Sequence, residues 1–251
     1  MIGIFDSGSG GLTVLKEIRK RLPKADILYF GDIKNAPYGS KTKDELVALT
    51  AGAIELLQKR GAKKIVSACN SVSAALVVSS NQTRVLAPEN LIEMIEPTAS
   101  YFKDSVDRIL LTATPATINS GIYQNAFEAI GKEIETVAIP DLAGAIEFGA
   151  TDAEVEQIIR EAFAAVDTSA FDTLILGCTH YPLVKDVFEK VMPTIKIVDP
   201  ALAVASRVAE RMGASEVGAD TTTFLISKES ESFRDRVAQL WPGAAYTIEV
   251  I

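Results

Sequence analysis

Short apolar runs of four to six residues recur along this chain, each followed by a stretch whose apolar residues fall three and four positions apart. The first run, residues 2–5, passes through Asp6-Ser7-Gly8-Ser9-Gly10-Gly11 into a helical pattern of Leu12, Leu15, Ile18 and Leu22 that stops at Pro23. Residues 27–30 predict the next strand, ending at Gly31-Asp32. Leu46, Leu49, Ala53 and Leu57 keep helical spacing behind a Thr42-Lys43-Asp44-Glu45 capping box, and Gly61 suits the position just past the helix end. A strand then leads to Cys69. The second half repeats this grammar, with strands predicted over 108–113 and 135–139 and helices over 119–130, 142–148 and 153–166. A strand leads to Cys178, and a helix is expected to begin at Pro182, a favoured first-turn residue. Residues 195–198, 222–226 and 245–250 predict the remaining strands, with one more helix before the last two.

Strands joined by helices predict an α/β protein: two similar α/β domains with mostly parallel sheets facing across a central cleft. No low-complexity linker separates the halves. The expected division is 1–95 plus 206–251, carrying Cys69, against 96–205, carrying Cys178, with the C-terminal tail returning to the first unit. The 251 residues suffice for two compact domains. A hydrophobic fraction of 48% with 23% charged residues is that of a soluble globular protein. The net charge of −8 and scattered basic residues argue against a nucleic-acid surface. No apolar run has membrane-spanning length, and Met1-Ile2-Gly3-Ile4 lacks a basic start or signal-peptide core. Two cysteines make a poor disulfide framework, so a cytoplasmic protein is expected.

Those two cysteines carry the chemical interest. Lys64-Ile65-Val66-Ser67-Ala68-Cys69-Asn70-Ser71 and Thr173-Leu174-Ile175-Leu176-Gly177-Cys178-Thr179-His180 share one design: an apolar strand, a small residue, cysteine, then short polar side chains opening a helix. Parallel α/β folds present their chemistry at that strand-to-helix switch. A pocket with a thiol on each wall can take a proton from one face of a carbon centre and return one to the other, which is the geometry of racemisation. Helix N-termini also favour thiolate over thiol. Each cysteine alone reads equally as a small buried hydrophobe. Cys178 and His180 could ligate a metal, but zinc needs at least three protein ligands. A mutual disulfide would require their Cα atoms within about 7 Å.

Asp6 ends the first strand and could share the crevice with Cys69, or serve only as a turn residue before Gly8. His180, the one histidine in the chain, can take or hold a proton from Cys178. Asn70, Ser71 and Thr179 offer donors and acceptors, or simply cap helices. Gly8, Gly10 and Gly11 invite a nucleotide reading. Thr13 stands where a dinucleotide fingerprint wants its third glycine, however, and no P-loop lysine follows. A tight turn remains, with a carboxylate ligand at its amides as the more economical anion.

Several separated motifs resemble those of glutamate racemases, within the aspartate/glutamate racemase superfamily. They are Phe5-Asp6-Ser7-Gly8-Ser9-Gly10-Gly11-Leu12-Thr13-Val14, Gly31-Asp32 followed by Pro37-Tyr38-Gly39, Ala68-Cys69-Asn70-Ser71, and Gly177-Cys178-Thr179-His180-Tyr181-Pro182-Leu183. The resemblance implies interconversion of L- and D-glutamate without a cofactor or metal, the D form serving bacterial peptidoglycan. It implies Cys69 as base towards D-glutamate, assisted by Asp6, and Cys178 as base towards L-glutamate, assisted by His180 and Glu147. It implies substrate contacts from Asp6, Ser7, Pro37, Tyr38, Gly39, Asn70, Ser71, Thr117, Thr179 and His180. The only partner implied is the small-molecule substrate; a homodimer is left open. Ser71 stands where the family usually has threonine, Lys34-Asn35 where it has alanine-arginine, and Val72 where it has alanine.

An α-proton is a very weak acid, so thiolate abstraction demands in-line placement and stabilisation of the developing carbanion. Amides, hydroxyls and the substrate's own ammonium must supply that. A substrate carbon between two near-attack contacts puts the sulfurs about 6–9 Å apart. Two other readings stay open: a related cofactor-independent isomerase or decarboxylase acting on another acid, and an amino-acid-binding protein with inert cysteines. A thiol–disulfide oxidoreductase is disfavoured, since no Cys-x-x-Cys pair occurs.

Overall fold

The computed structural model describes residues 1–79, 88–212 and 218–251. The first part of the chain runs β1 (Ile2–Asp6), α1 (Leu12–Arg21), β2 (Ile27–Gly31), α2 (Lys43–Lys59), β3 (Lys64–Ser67), α3 (Asn70–Ser79), β4 (Leu91–Ile92) and α4 (Ile95–Tyr101). It continues through β5 (Ile109–Ala113), α5 (Pro115–Asn119), α6 (Ile122–Glu128), β6 (Ile134–Ala138), α7 (Leu142–Glu147), α8 (Asp152–Phe163), β7 (Thr173–Leu176), α9 (Lys185–Val191) and β8 (Lys196–Val198). Last come α10 (Ala201–Met212), β9 (Thr222–Ile226), α11 (Glu231–Leu240) and β10 (Thr247–Val250).

The strands form two sheets, ordered β10-β9-β2-β1-β3-β4 and β6-β5-β7-β8. Every strand pairing among the described residues is parallel, in keeping with the expected mostly parallel sheets. The C-terminal strands β9 and β10 join the first sheet beside β2. Ile2–Asp6 and Ile109–Ala113 are buried throughout, because interior parallel strands are covered by helices on both faces. In each sheet the chain goes to one side and then to the other of a central strand: β1 between β2 and β3, β5 between β6 and β7. The switch points β1/β3 and β5/β7 are therefore where crevices open at the carboxyl ends.

Packing places those two crevices face to face. One apolar cluster runs from Ile4 and Tyr29 of the first sheet through Val204 and Val208 of α10 and Ile95 of α4 to Leu111 and Phe127 of the second unit. The outer faces have their own cores: Phe5, Ile54, Leu57 and Ile65 under α2, and Leu142, Ile159, Leu174 and Phe188 under α7, α8 and α9.

Local signals explain most element ends. Thr42 and Glu45 make the expected capping box, Thr42 N–H donating to Glu45 Oε2 at 2.8 Å, and Gly61 adopts a left-handed φ of +97° beyond α2. Thr151 and Glu154 repeat the device at α8. Two helix expectations are corrected. The helix expected over 119–130 starts earlier, with Pro115 in its first turn, and breaks where Gly121 turns left-handed at φ +69°. The helix expected at Pro182 begins instead as a 3₁₀ turn, Tyr181–Val184, before α9. Among the described residues no helix is long and apolar enough to cross a membrane.

Candidate active site

Cys69 follows β3 and Cys178 follows β7, so each thiol sits at its own sheet's switch point, and both line one narrow cavity between the sheets. Both are buried and neither is in a disulfide. Ser7, Pro37, Tyr38, Gly39, Asn70 and Ser71 line the first wall beside Cys69. Thr117, Thr179 and His180 complete the expected set on the other wall. Asp6 and Glu147, also expected, lie behind the lining and reach it through Thr179 and His180. The cavity volume is about 20 Å³, room for about one water, so a larger ligand requires the walls to part.

The Cys69 wall is acidic and tightly held. Asp6 Oδ1 accepts from Gly8 N–H at 2.8 Å, and Oδ2 accepts from the Thr179 hydroxyl at 3.1 Å across the cleft. The Cys69 thiol donates to Ser7 Oγ at 3.8 Å. Burial, reinforced by the Asp6 charge, pushes the Cys69 thiol up to about 12, despite the opposing pull of the Val72 amide at the start of α3. Burial also raises the Asp6 carboxyl, against the charge of His180 and its amide donors. The helix N-terminus expected to favour thiolate therefore loses to desolvation at Cys69. At Cys178 the chain enters a 3₁₀ turn before α9.

The Cys178 wall uses a relay instead. His180 Nδ1 lies 3.9 Å from Cys178 Sγ, and Nε2 lies 2.7 Å from Glu147 Oε2. Burial works against the imidazolium, but the thiol and the Glu147 carboxylate overcome it and raise His180 to about 10. Burial likewise works against the Glu147 anion, and His180, Ser9 and Arg236 together hold it down at about 2. Ser9 gives Glu147 Oε2 both its hydroxyl, at 2.5 Å, and its amide, at 3.2 Å. The loop amides that could have met a ligand carboxylate are thus taken by the protein's own Asp6 and Glu147.

The same packing explains the glycines better than any nucleotide does. A Cβ on Gly8 would stand 2.9 Å from Glu147 Oε1, and one on Gly10 would stand 2.6 Å from His180 Nδ1. Gly8 and Gly10 lack side chains where residues of the second unit occupy the space, whereas a Cβ on Gly11 would meet Asp6 and Tyr29 of the first sheet. Gly39 is pressed in the same way against Thr114, 2.7 Å from its hypothetical Cβ.

Hydroxyl and amide side chains gather on one side of the cavity. Ser71, Thr114 and Thr117 form a hydroxyl triangle with edges of 3.1, 3.2 and 3.4 Å. Asn70 Oδ1 accepts from the Tyr123 hydroxyl at 2.6 Å, which turns Nδ2 free: it is buried without a hydrogen-bond partner among the described residues. Tyr38 donates to Asp32 Oδ2 at 2.6 Å, and Asn35 Nδ2 donates to both Asp32 oxygens. Asn35 of the unusual Lys34-Asn35 pair thus anchors the Pro37-Tyr38-Gly39 loop. Among the described residues no three His, Cys, Asp or Glu side chains come together as a metal site.

Thr114, Ala143, Tyr123, Ser9 and Arg236 were not anticipated. Thr114 had a usable signal, since it follows β5 as Ser7 follows β1 in the same repeated design that links the cysteines. Arg236 and Tyr123 are ordinary residues on helix faces, and no local pattern marks them.

Two like parallel sheets closing on a pocket with a thiol from each define an α/β protein of racemase type. The chain belongs to the Asp/Glu/Hydantoin racemase family, whose model matches residues 5–208. It is 40% identical over 208 residues to the glutamate racemase of Desulforudis audaxviator, covering 80% of this chain and 75% of that protein. Its structure resembles a glutamate racemase isoform of Bacillus anthracis with a TM-score of 0.87 at 30% identity, covering 100% of this chain and 97% of the other. For the glutamate racemase of Francisella tularensis in complex with D-glutamate, the TM-score is 0.84 at 28% identity, with coverage of 100% and 96%.

Proposed function

We propose that this chain interconverts L- and D-glutamate by a two-base route without a cofactor, supplying D-glutamate for peptidoglycan. The observation that carries the two-base reading is the pair of buried thiols, one from each sheet, lining a single cavity. In the L-to-D direction the Cys178 thiolate, paired with the His180 imidazolium, takes the α-proton and becomes a thiol. The Cys69 thiol gives its proton to the opposite face and becomes a thiolate. The D-to-L direction reverses both transfers. A Cys69 pKa of about 12 suits a group that waits as the proton donor. Asp6 assists Cys69 through its charge, which keeps the waiting thiol protonated; Glu147 supports Cys178 through His180.

The free Asn70 Nδ2 and the hydroxyls of Ser71, Thr114 and Thr117 receive the substrate carboxylates, as an unpaired buried donor favours an acceptor that completes it. Thr179, Ser7, Tyr38 and Gly39 complete the enclosure. Two units carry the halves, 1–95 plus 206–251 and 96–205, with the chain crossing between them in α4 and α10. Parting of these units admits glutamate, and closure then excludes water from the carbanion. The enzyme works in the cytoplasm, and light scattering distinguishes a monomer from a homodimer.

The test is incubation with L-glutamate in deuterated water without pyridoxal phosphate, nucleotide or metal. Optical rotation falls to zero while deuterium enters Cα. Unchanged rotation, or turnover only after a cofactor is added, refutes the reading.

A further inference from the structure

One carboxylate oxygen is shared by both sides of the cleft. Glu147 Oε2 meets Ser9 N, Ser9 Oγ, His180 Nε2 and Arg236 Nη1 at 3.2, 2.5, 2.7 and 3.2 Å, while Oε1 has no partner among the described residues. Arg236 reaches this point from α11, beside the first sheet, and Glu147 ends α7, beside the second. The same guanidinium also donates to Ser9 Oγ and to the Ile146 carbonyl, so it clasps the end of α7 and the Gly-rich loop together. Its side chain is only 17% exposed, and Glu147's is 3%. Such a charge-assisted fork has fixed geometry, of which an ammonium keeps the charge but only part of the hydrogen bonding.

We propose that Arg236 is a positioning residue: by holding the Glu147 carboxylate at the domain junction, it orients His180 for proton transfer at Cys178. The inference rests on the glutamate racemase reading above. Glu147 and His180 sit on the same unit and move together, whereas Ser9 and Arg236 sit on the other. Glu147 is therefore complete only when the units close, and closure is what presents His180 squarely to the Cys178 sulfur. Among the described residues the hydrogen bonds of the Arg236 guanidinium go to Ser9, Glu147 and the Ile146 carbonyl, and none goes to Asp6, Ser7 or Cys69. Its loss should weaken chemistry on the Cys178 face far more than on the Cys69 face.

Racemisation alone cannot reveal such a difference, since the equilibrium constant between enantiomers is one and kcat/KM must match in both directions. A one-way reaction can. A thiolate removes the α-proton of 3-chloroglutamate, chloride leaves with its electron pair, and the enamine hydrolyses to 2-oxoglutarate and ammonia. The L analogue needs Cys178 and the D analogue needs Cys69. The experiment compares wild type, Arg236→Gln and Arg236→Lys by 2-oxoglutarate release from each enantiomer, with thermal melts alongside. Arg236→Gln is expected to lose about 10- to 100-fold on the L analogue, the worth of a hydrogen bond to a charged group, and less than about threefold on the D analogue. Arg236→Lys should recover part of the L activity. Equal losses on both enantiomers, with or without a lowered melting temperature, would make Arg236 a structural clasp only and overturn the proposal. So would a lysine variant no better than glutamine, or a glutamine variant as active as wild type. If wild type itself fails to racemise glutamate, the functional reading fails instead.

Discussion

A single methyl group at Gly10 tests whether the Gly-rich loop exists to admit residues from the opposite sheet. In Gly10→Ala the new Cβ would lie 2.6 Å from His180 Nδ1, 2.7 Å from Thr179 Oγ1 and 2.8 Å from His180 Cε1. An ordinary contact of 3.4 Å requires the imidazole to retreat by about 0.8 Å, or the two units to stay apart by that amount. The ring has little freedom to retreat, being buried, tied to Glu147 at 2.7 Å and set 3.9 Å from Cys178. Overpacking of this kind costs about 1–3 kcal/mol, which for a chain of this size lowers the melting temperature by roughly 2–12 °C. A misplacement near 1 Å costs about 100-fold in rate. Racemisation followed by circular dichroism should therefore show kcat/KM down about 100-fold, while far-ultraviolet spectra stay native. Gly52→Ala is the control: in the middle of α2 a Cβ there would point into open space. That change should stabilise by about 0.5–1 kcal/mol and leave activity alone. If Gly10→Ala keeps wild-type kcat/KM and melting temperature, the loop glycines are not there for His180 and the packing account is wrong.

Other outcomes follow from the same geometry. Cys69→Ala should abolish racemisation yet retain chloride elimination from 3-chloro-L-glutamate, and Cys178→Ala should show the reverse preference; loss of both eliminations in both variants refutes the opposed-thiol assignment. Glu147 is held at about 2 against an ordinary 4.5, so its stabilisation is present above pH 4.5 and fades as pH falls to 2. His180 is raised from 6.5 to about 10, so its stabilisation is complete below pH 6.5 and fades as pH rises to 10. The stability difference between wild type and Glu147→Gln should thus peak between about pH 4.5 and 6.5, and a flat difference across pH 2–10 in denaturant melts would contradict the ion pair. Tyr123→Phe leaves Asn70 Oδ1 without its 2.6 Å donor and frees the amide to rotate. KM for glutamate should rise more than kcat falls, with about 1–3 kcal/mol of stability lost; an unchanged KM would show that Tyr123 does not orient Asn70.

The parts legible in the chain are those encoded within a few residues. Thr42 and Glu45 cap α2 because both partners lie within one turn, and Gly61 ends it because only a glycine takes that φ cheaply. The repeated strand–small–Cys–polar design marked both thiols, because the carboxyl end of a parallel strand is a local address. The same address holds for Thr114 at the carboxyl end of β5, where no cysteine marks it. Where local rules compete, reading fails: 119–130 has a continuous helical apolar pattern, yet Gly121 breaks it, and Pro182 opens a 3₁₀ turn before its α-helix.

What joins the two halves had no local mark. Glu147 meets Ser9 across 138 positions and Arg236 across 89, and Tyr123 meets Asn70 across 53. None of these contacts has a period, a spacing or a cap to announce it, since packing of one sheet against the other creates it. The glycines show the division most plainly. Their presence after β1 is visible in the sequence and predicts a tight turn. That Gly8 makes room for Glu147 and Gly10 for His180 is decided by the face of the second sheet that arrives there. Burial completes the distinction, because a cysteine's environment, not its neighbours in sequence, drives the Cys69 thiol up to about 12. Short-range stereochemistry writes the elements and places a thiol at each strand end; long-range packing selects which charges those thiols face.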